Sequence, residues 1–353
     1  MMLWGGAYTD EIMCDRSARR WLLIILSGCL LAGCVTGGLN NRGLNNGAML
    51  HGFNALQHKN VGWNQPAAKR SFRHMAGLGS NAVVLIAFLE QDGPGSTMVR
   101  RSSNVTLAQL RAAIGYAHAY GLKVIFKPQL LVTGSWAGGV EYQQTQQWQS
   151  WFGHYSREIV KFAHFADEQG VDGFVIGTEL LKASGHVNWS VLIKQVRGQF
   201  GGTITYAAHN IAGMKHFGYW SELDVVSLTL YPSLGLTGER EAMQSRVLAV
   251  VDELKQAVQD LNRPLWVLEI GMPSARGASA KPWEWQGLKH ASVDLRLQND
   301  ALEIWLKALD QPWVNGVFIW AWYSDYNAGG SHDAGYTPQH KPAEHMIRRY
   351  WKS

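Results

Sequence analysis

Two glutamates close short apolar runs in this chain. Glu179 follows the apolar part of "VDGFVIGTELL" (171–181), and Glu269 lies in "RPLWVLEIGMPS" (263–274). A carboxylate is costly inside a core unless it is paired or neutralised. Each is therefore either the first solvated residue past a strand or the reason that the strand exists. Two carboxyls held about 5 Å apart can divide labour, one attacking as nucleophile while the other gives and takes a proton. Rival chemistries have no footprint: there is no HExxH, paired-Cys or HxH strand motif for zinc, and no G-x-S-x-G elbow for a serine nucleophile. Neither a cofactor nor a metal is implied.

Positioning such a pair is a matter of the surrounding elements. Strand candidates are "MLHGFN" (49–54), "NAVVLIAF" (81–88), "KVIFKP" (123–128), "GFVIGTE" (173–179), "TITYAA" (203–208), "DVVSLTLY" (224–231), "LWVLEIG" (265–271) and "GVFIWAWY" (316–323). Helical patterns such as "TLAQLRAAIGYAHAYG", "GEREAMQSRVLAVVDELKQAVQDLNRP" and "ALEIWLKALDQ" lie between them, with apolar residues at spacings of three and four. Continuously apolar strands alternating with helices indicate a parallel sheet covered on both sides. Eight such units predict an α/β fold of the closed (β/α)₈ TIM-barrel type. A doubly wound open sheet is the alternative, but it usually carries a Gly-rich phosphate loop after strand one, and "HGFNALQHKN" is not one. In a barrel, C-terminal strand ends face the active-site mouth and N-terminal ends serve stability. Asp172 and Asp224, which open strands, are then structural. Glu179 and Glu269 close the fourth and seventh strands, on opposite sides of the mouth. Simple alternation places Gly173, Val175 and Gly177 on the face of Glu179, leaving room near the axis, and Leu265 and Val267 on the face of Glu269.

This layout resembles clan GH-A of the glycoside hydrolases, with the acid/base at strand four and the nucleophile at strand seven. "LEIGMPS", "SLTLYPSLG" and the closing "GVFIWAWYSD…YTPQHKPAEHMI" are most similar to glycoside hydrolase family 113, the β-mannanase-type barrel, over nearly the whole mature domain. The resemblance implies a retaining hydrolase of a β-linked polysaccharide or oligosaccharide, with Glu179 as acid/base and Glu269 as nucleophile. It also implies that Tyr231 hydrogen-bonds the nucleophile and that Trp320 or Trp322 floors the sugar at the cleavage point. Many clan members have Asn just before the acid/base to contact the substrate 2-hydroxyl; here it is Thr178, which bears on sugar identity more than on the reaction. The mechanism requires Glu179 to start protonated, favoured by apolar surroundings and the charge of Glu269, and Glu269 to start ionised, helped by donors such as Tyr231.

Other residues fall on the mouth side. Lys127 ends strand three and either contacts sugar hydroxyls or is a paired structural lysine. His209 and Asn210 after strand five, and Asn54 after strand one, are candidate sugar contacts. Glu90 and Asp325 also lie on this side, with Glu90 the reserve carboxylate. Trp136, in "TGSWAGG", has no helical pattern to bury it and is read as an outlying platform for longer chains, since sugar faces stack on indole. Trp283 and Trp285 are similar, whereas Trp148, Trp151 and Trp305 lie on helices, where packing is the default.

The N-terminus reads separately. Arg16, Arg19 and Arg20 precede "WLLIILSGCLLAGC", the basic, apolar, small-residue layout of a secretory signal and too short for a permanent span. "LAGC" at 31–34 resembles a bacterial lipobox, which implies lipidation at Cys34, with "LSGC" ending at Cys29 the poorer fit and Met13 a possible true start. Residues 1–33 are thus expected to be a signal peptide and 34–48 a flexible Gly/Asn-rich tether, with the hydrolase domain at 49–353. The only cysteines, Cys14, Cys29 and Cys34, leave no pair for a disulfide in the mature chain. The expected location is exported and lipid-anchored to a bacterial membrane, with Val35 after Cys34 favouring the outer one. A formal charge of +5 without a basic cluster makes nucleic acid an unlikely partner. Sixteen Trp and twelve Tyr exceed what a core of this size needs and fit a sugar cleft in a monomer. The competing reading is a non-catalytic polysaccharide-binding lipoprotein; a same-clan hydrolase of xylan, glucan or exopolysaccharide is another.

Overall fold

A computed structural model describes Leu44, residues 49–284 and residues 286–352. The signal segment, Cys34 and most of the tether lie outside the described residues, as does Trp285. Among the described residues no helix is long and apolar enough to cross a membrane.

Strands β1 (Leu50–Leu56), β2 (Ala82–Gln91), β4 (Lys123–Val132), β5 (Gly173–Thr178), β6 (Thr203–His209), β7 (Val226–Leu230), β8 (Leu265–Ile270) and β9 (Val314–Tyr323) follow each other in parallel around the sheet. Pairing of β1 with both β2 and β9 closes it, giving a (β/α)₈ TIM barrel. A two-residue strand, β3 (Arg100–Arg101), folds back antiparallel on β2, so the fourth and seventh barrel strands are β5 and β8. Helices α1 (Pro66–Gly77), α2 (Leu107–Ala119), α3 (Thr145–Glu168), α4 (Asn188–Arg197), α5 (Asn210–His216), α6 (Arg240–Val258), α7 (Leu295–Leu309) and α8 (Pro342–Trp351) form the outer layer. Their starts are locally encoded. Pro66 opens α1, where its missing N–H costs nothing. Thr106 and Gln109 form a reciprocal capping box at α2.

Two apolar layers result. Outward strand residues such as Phe126, Phe174, Ile204 and Leu228 pack with the buried stripes of the helices. A second cluster, built from strand residues including Val84, Ile125, Val175, Trp266 and Phe318, fills the barrel. Leu44, which falls within the segment expected as a tether, belongs to that inner cluster. Its N–H donates to Thr203 Oγ1 at 3.0 Å. A Cβ on Gly173 would come within 3.2 Å of both Leu44 and Ile125, so the glycine leaves the space that Leu44 fills.

Asp172 ties the barrel at its N-terminal end, as its position predicts. It accepts from Lys123 Nζ at 2.8 Å and from the Val124 N–H at 2.9 Å. Burial pushes its carboxyl up, but His118, Lys123 and the Val124 amide outweigh this and hold it below the usual carboxylate range. A depressed folded pKa means stability that is present above the unfolded value, near 4, and lost as pH falls through the folded one. Asp172→Ala is therefore expected to cost about 1–2 kcal/mol at pH 7, chiefly from the stranded Val124 amide because Lys123 is half exposed. Urea unfolding at pH 7 and at pH 3 checks this: the gap between wild type and variant should shrink at the lower pH.

Candidate active site

The two glutamates reach the mouth through irregular backbone, not through simple alternation. On β5, Val175 faces the interior and Ile176 the helices, after which pairing with β6 slips between Val175 and Thr178. Gly177 then backs onto the helix layer: a Cβ there would lie 2.8 Å from Trp189 of α4 and 3.1 Å from the Tyr155 hydroxyl of α3. The expectation that Gly177 opens space at the axis is corrected. Glu179 follows in a left-handed conformation, φ 54°, held by its N–H to the Ala207 carbonyl at 2.8 Å. Such a backbone is uncommon outside glycine and costs energy that the surroundings must supply.

The same device operates on β8. Trp266 and Leu268 face inward while Leu265 and Val267 face the helices, opposite to their predicted orientation. Strict alternation would aim Glu269 outward as well. A break in pairing with β9 between Val267 and Ile270 turns it into the barrel, where it is 1% exposed. On β9, pairing with β1 passes from Asn54–Trp320 to Ala55–Trp322, omitting Ala321, across a cis Trp320–Ala321 peptide. Trp320 faces inward, on the side of Phe318, and Trp322, beyond the slip, faces outward. Trp322 packs against Phe53 with ring centroids 4.7 Å apart, and its indole donates to Ser71 Oγ of α1 at 2.7 Å. It is a core residue, so the prediction that it might floor a sugar is corrected in favour of Trp320.

Donors are divided between the carboxylates. Oε1 of Glu269 accepts from the Lys127 ammonium and from Gln129 Nε2 at 3.0 Å, and Oε2 accepts from the Tyr231 hydroxyl at 2.9 Å. Lys127 is fully buried, also donates to Asn54 Oδ1 at 3.2 Å, and lies 5.7 Å from the Trp320 ring centroid. Of its two predicted roles, the structure favours the paired lysine. Asn54, fully buried, donates to the Leu268 carbonyl at 2.8 Å and steadies Lys127, which replaces its expected role as a sugar contact.

Glu179 Oε1 accepts from the Thr229 hydroxyl and lies 3.2 Å from His209 Nδ1, and its Oε2 is 3.4 Å from the Trp136 indole nitrogen. Trp136 stands edge-on to His209, ring centroids 4.7 Å apart. It borders the Glu179 carboxyl and is not the distant platform expected. Both amide groups of Asn210 are engaged, with His209 Nε2 at 3.0 Å and with the Tyr231 N–H at 3.4 Å. Thr178 is buried, its hydroxyl 3.4 Å from the Pro128 carbonyl.

Glu90 pairs with Arg100 at 3.5 Å and Asp325 lies 3.7 Å from His58, so each carboxylate has a partner away from the glutamate pair. Trp283 packs, partly buried, at the edge of the inner cluster. Two residues that touch the glutamates had not been singled out, Gln129 and Thr229. Both were within reach of period-two reasoning: Gln129 is two positions beyond Lys127, and Thr229 two before Tyr231.

The electrostatics reverse the predicted polarity. Burial pushes the Glu179 carboxyl up, but hydrogen bonding and charge from His209, the Thr229 hydroxyl and the Lys127 charge together hold it below its ordinary value. Burial raises Glu269; Lys127 opposes it, the charge of Glu179 adds to it, and the balance stays above ordinary. Tyr231 is driven well above the phenol range by burial and by Glu269. The groups around Glu179 thus favour its anion, and His209, expected as a sugar contact, is one of them.

A family model for Glycoside Hydrolase Family 113 matches residues 50–341. No curated protein matches the sequence. Among solved structures, the GH113 β-mannanase AaManA from Alicyclobacillus acidocaldarius, in complex with ManMIm, is similar at 28% identity and TM-score 0.74, covering 87% of this chain and 96% of its own. A GH113 β-1,4-mannanase is similar at 25% identity and TM-score 0.76, with 87% and 99% covered. A complex of a GH113 β-1,4-mannanase matches at 25% identity and TM-score 0.72, with 87% and 98% covered. With the barrel, the two glutamates in its mouth and a family match spanning most of the sequence, this chain belongs to Glycoside Hydrolase Family 113.

Proposed function

We propose that the chain is a retaining endo-β-mannanase-like hydrolase working by double displacement on a β-1,4-linked mannan. The observation that carries the mechanism is the division of donors: Lys127, Gln129 and Tyr231 on Glu269, and Thr229, His209 and Trp136 on Glu179. The substrate class rests on the mannanase relatives. Glu179 protonates the leaving oxygen while Glu269 attacks the anomeric carbon; water deprotonated by Glu179 then releases the sugar. Ordered donors align Glu269 before substrate arrives, so little reorganisation remains for the transition state. For Glu179 to begin as an acid, His209, 3.2 Å from its carboxyl, has to act as an uncharged donor, so that its hydrogen bond and not its charge bears on the carboxyl. Trp320 provides the inward aromatic surface beside Lys127, and Trp136 the surface beside Glu179 on the leaving-group side.

A panel of soluble β-1,4-mannan, glucomannan, xylan and β-glucan, with products sized and their anomers followed by NMR, tests this reading. Mannan cleavage releasing the β-anomer first is expected. Release of the α-anomer first would reject retention. Tight binding without hydrolysis of any glycan would favour the non-catalytic binding lipoprotein.

The proposal extends to location: "LAGC" after a basic flank supports export and lipid attachment at Cys34. Cys34→Ala is expected to abolish acyl labelling and release the protein from membranes; continued labelling would reject the assignment to Cys34.

A further inference from the structure

We infer that Asn210 is a positioning residue that keeps His209 neutral, as an Nδ1–H donor to Glu179, and thereby preserves Glu179 as an acid. The inference rests on the hydrolase reading above. The Tyr231 N–H can only donate, so the Asn210 oxygen, 3.4 Å away, faces it. The Asn210 NH₂ must then face His209 Nε2, 3.0 Å away, and an NH₂ group needs a lone pair there. A proton on Nε2 would set two donors against each other. The ring's single proton therefore sits on Nδ1, 3.2 Å from Glu179 Oε1.

Charge makes this arrangement consequential. The part of the lowering at Glu179 that comes from the charge of His209 exists only for the imidazolium; a neutral Nδ1–H donor supplies the hydrogen bond alone, so the charge state of His209 sets how strongly the carboxylate is favoured. The other titratable or charged groups facing the pair are Lys127 from β4, Glu269 from β8, Tyr206 from β6 and Tyr231 after β7. Lys127 is already committed to Glu269, and burial lifts both phenols well above their ordinary values. His209 is thus the neighbour whose charge state Asn210 can set.

The backbone at Asn210 is also unusual, with φ 55°, which asparagine, aspartate and glycine tolerate better than other residues. Substitution by aspartate or glycine therefore changes the chemistry without imposing a new backbone. Aspartate would accept from Nε2–H and stabilise imidazolium; glycine would simply remove the donor.

The test uses the full chain and its Asn210→Asp and Asn210→Gly variants. The pH profile of kcat/KM is measured with β-1,4-mannohexaose and with a dinitrophenyl β-mannobioside, and the His209 ring nitrogens are followed by ¹⁵N NMR. In wild type, NMR should show the neutral Nδ1–H tautomer. In Asn210→Asp, imidazolium should persist to higher pH. The alkaline limb for mannohexaose should then move down by about one pH unit, roughly a tenfold loss above it, with a much smaller change for the aryl substrate, whose leaving group needs little protonation. Asn210→Gly should lose the tautomer preference and move the limb less. An Nε2-protonated ring in wild type overturns the inference. So does an unmoved limb in Asn210→Asp with equal losses on both substrates, which would mark Asn210 as a loop-holding residue. Absence of hydrolysis with any glycan would defeat the hydrolase reading, while the NMR result would still decide the role of Asn210.

Discussion

Glu269→Ala is expected to lower kcat on β-1,4-mannan by about 10⁴-fold or more, which is roughly 5 kcal/mol of lost transition-state stabilisation. In the proposed mechanism this carboxylate is the nucleophile, and among the described residues Lys127, Gln129 and Tyr231 all converge on it. Added azide should enter the vacated space and restore turnover, giving a product of inverted anomer. The same change strands a fully buried ammonium at Lys127, with Asn54 its remaining described partner. Removing one member of a buried ion pair costs about 3–5 kcal/mol, so thermal stability should fall too. Adding Lys127→Met to Glu269→Ala should recover part of that stability and none of the turnover. Near wild-type kcat in the alanine variant would reject Glu269 as nucleophile.

Glu179→Ala should lower kcat/KM on the same mannan by roughly 10³-fold, within the range of general acid catalysis. A dinitrophenyl β-mannobioside, whose leaving group departs without protonation, should lose far less in kcat/KM. Its kcat should still fall, because release of the glycosyl-enzyme needs Glu179 as base. The His209 and Thr229 donors remain in place and would then face an open space suited to azide or another small anion. The comparison that matters is between the two substrates. Equal losses on both would mean that Glu179 organises the site and does not transfer the proton.

Much of this protein can be read from its residues in order. Apolar runs bounded by turn residues located all eight barrel strands, and spacings of three and four located helices such as α2, α6 and α7. Their alternation led to the closed barrel, and the barrel gave strand-end residues their meaning. Glu179, Glu269 and Tyr231 lie together at the mouth. Asp172 lies at the opposite end, in the ion pair that a structural residue would make. These inferences rest on local periodicity and on which end of a strand a residue occupies.

Where those side chains point, and what they touch, depends on how the strands pair. Gly177 and Trp322 face the helices, and Glu269 turns into the barrel although Leu265 and Val267 face outward, because pairing slips near the C-terminal ends of β5, β9 and β8. A slip of one residue exchanges the two faces of everything beyond it. It depends on how neighbouring strands close the barrel, which no window of sequence contains. The donors on each glutamate are likewise distant in sequence: Lys127 is 142 residues from Glu269, and Thr229 is 50 from Glu179. The barrel, its mouth and the two carboxylates follow from local periodicity and position along the chain. Only the folded chain shows that Asn54 serves Lys127, that Trp136 borders Glu179 and that His209 reaches the same carboxyl, since each depends on contacts between strands that meet only when the barrel closes.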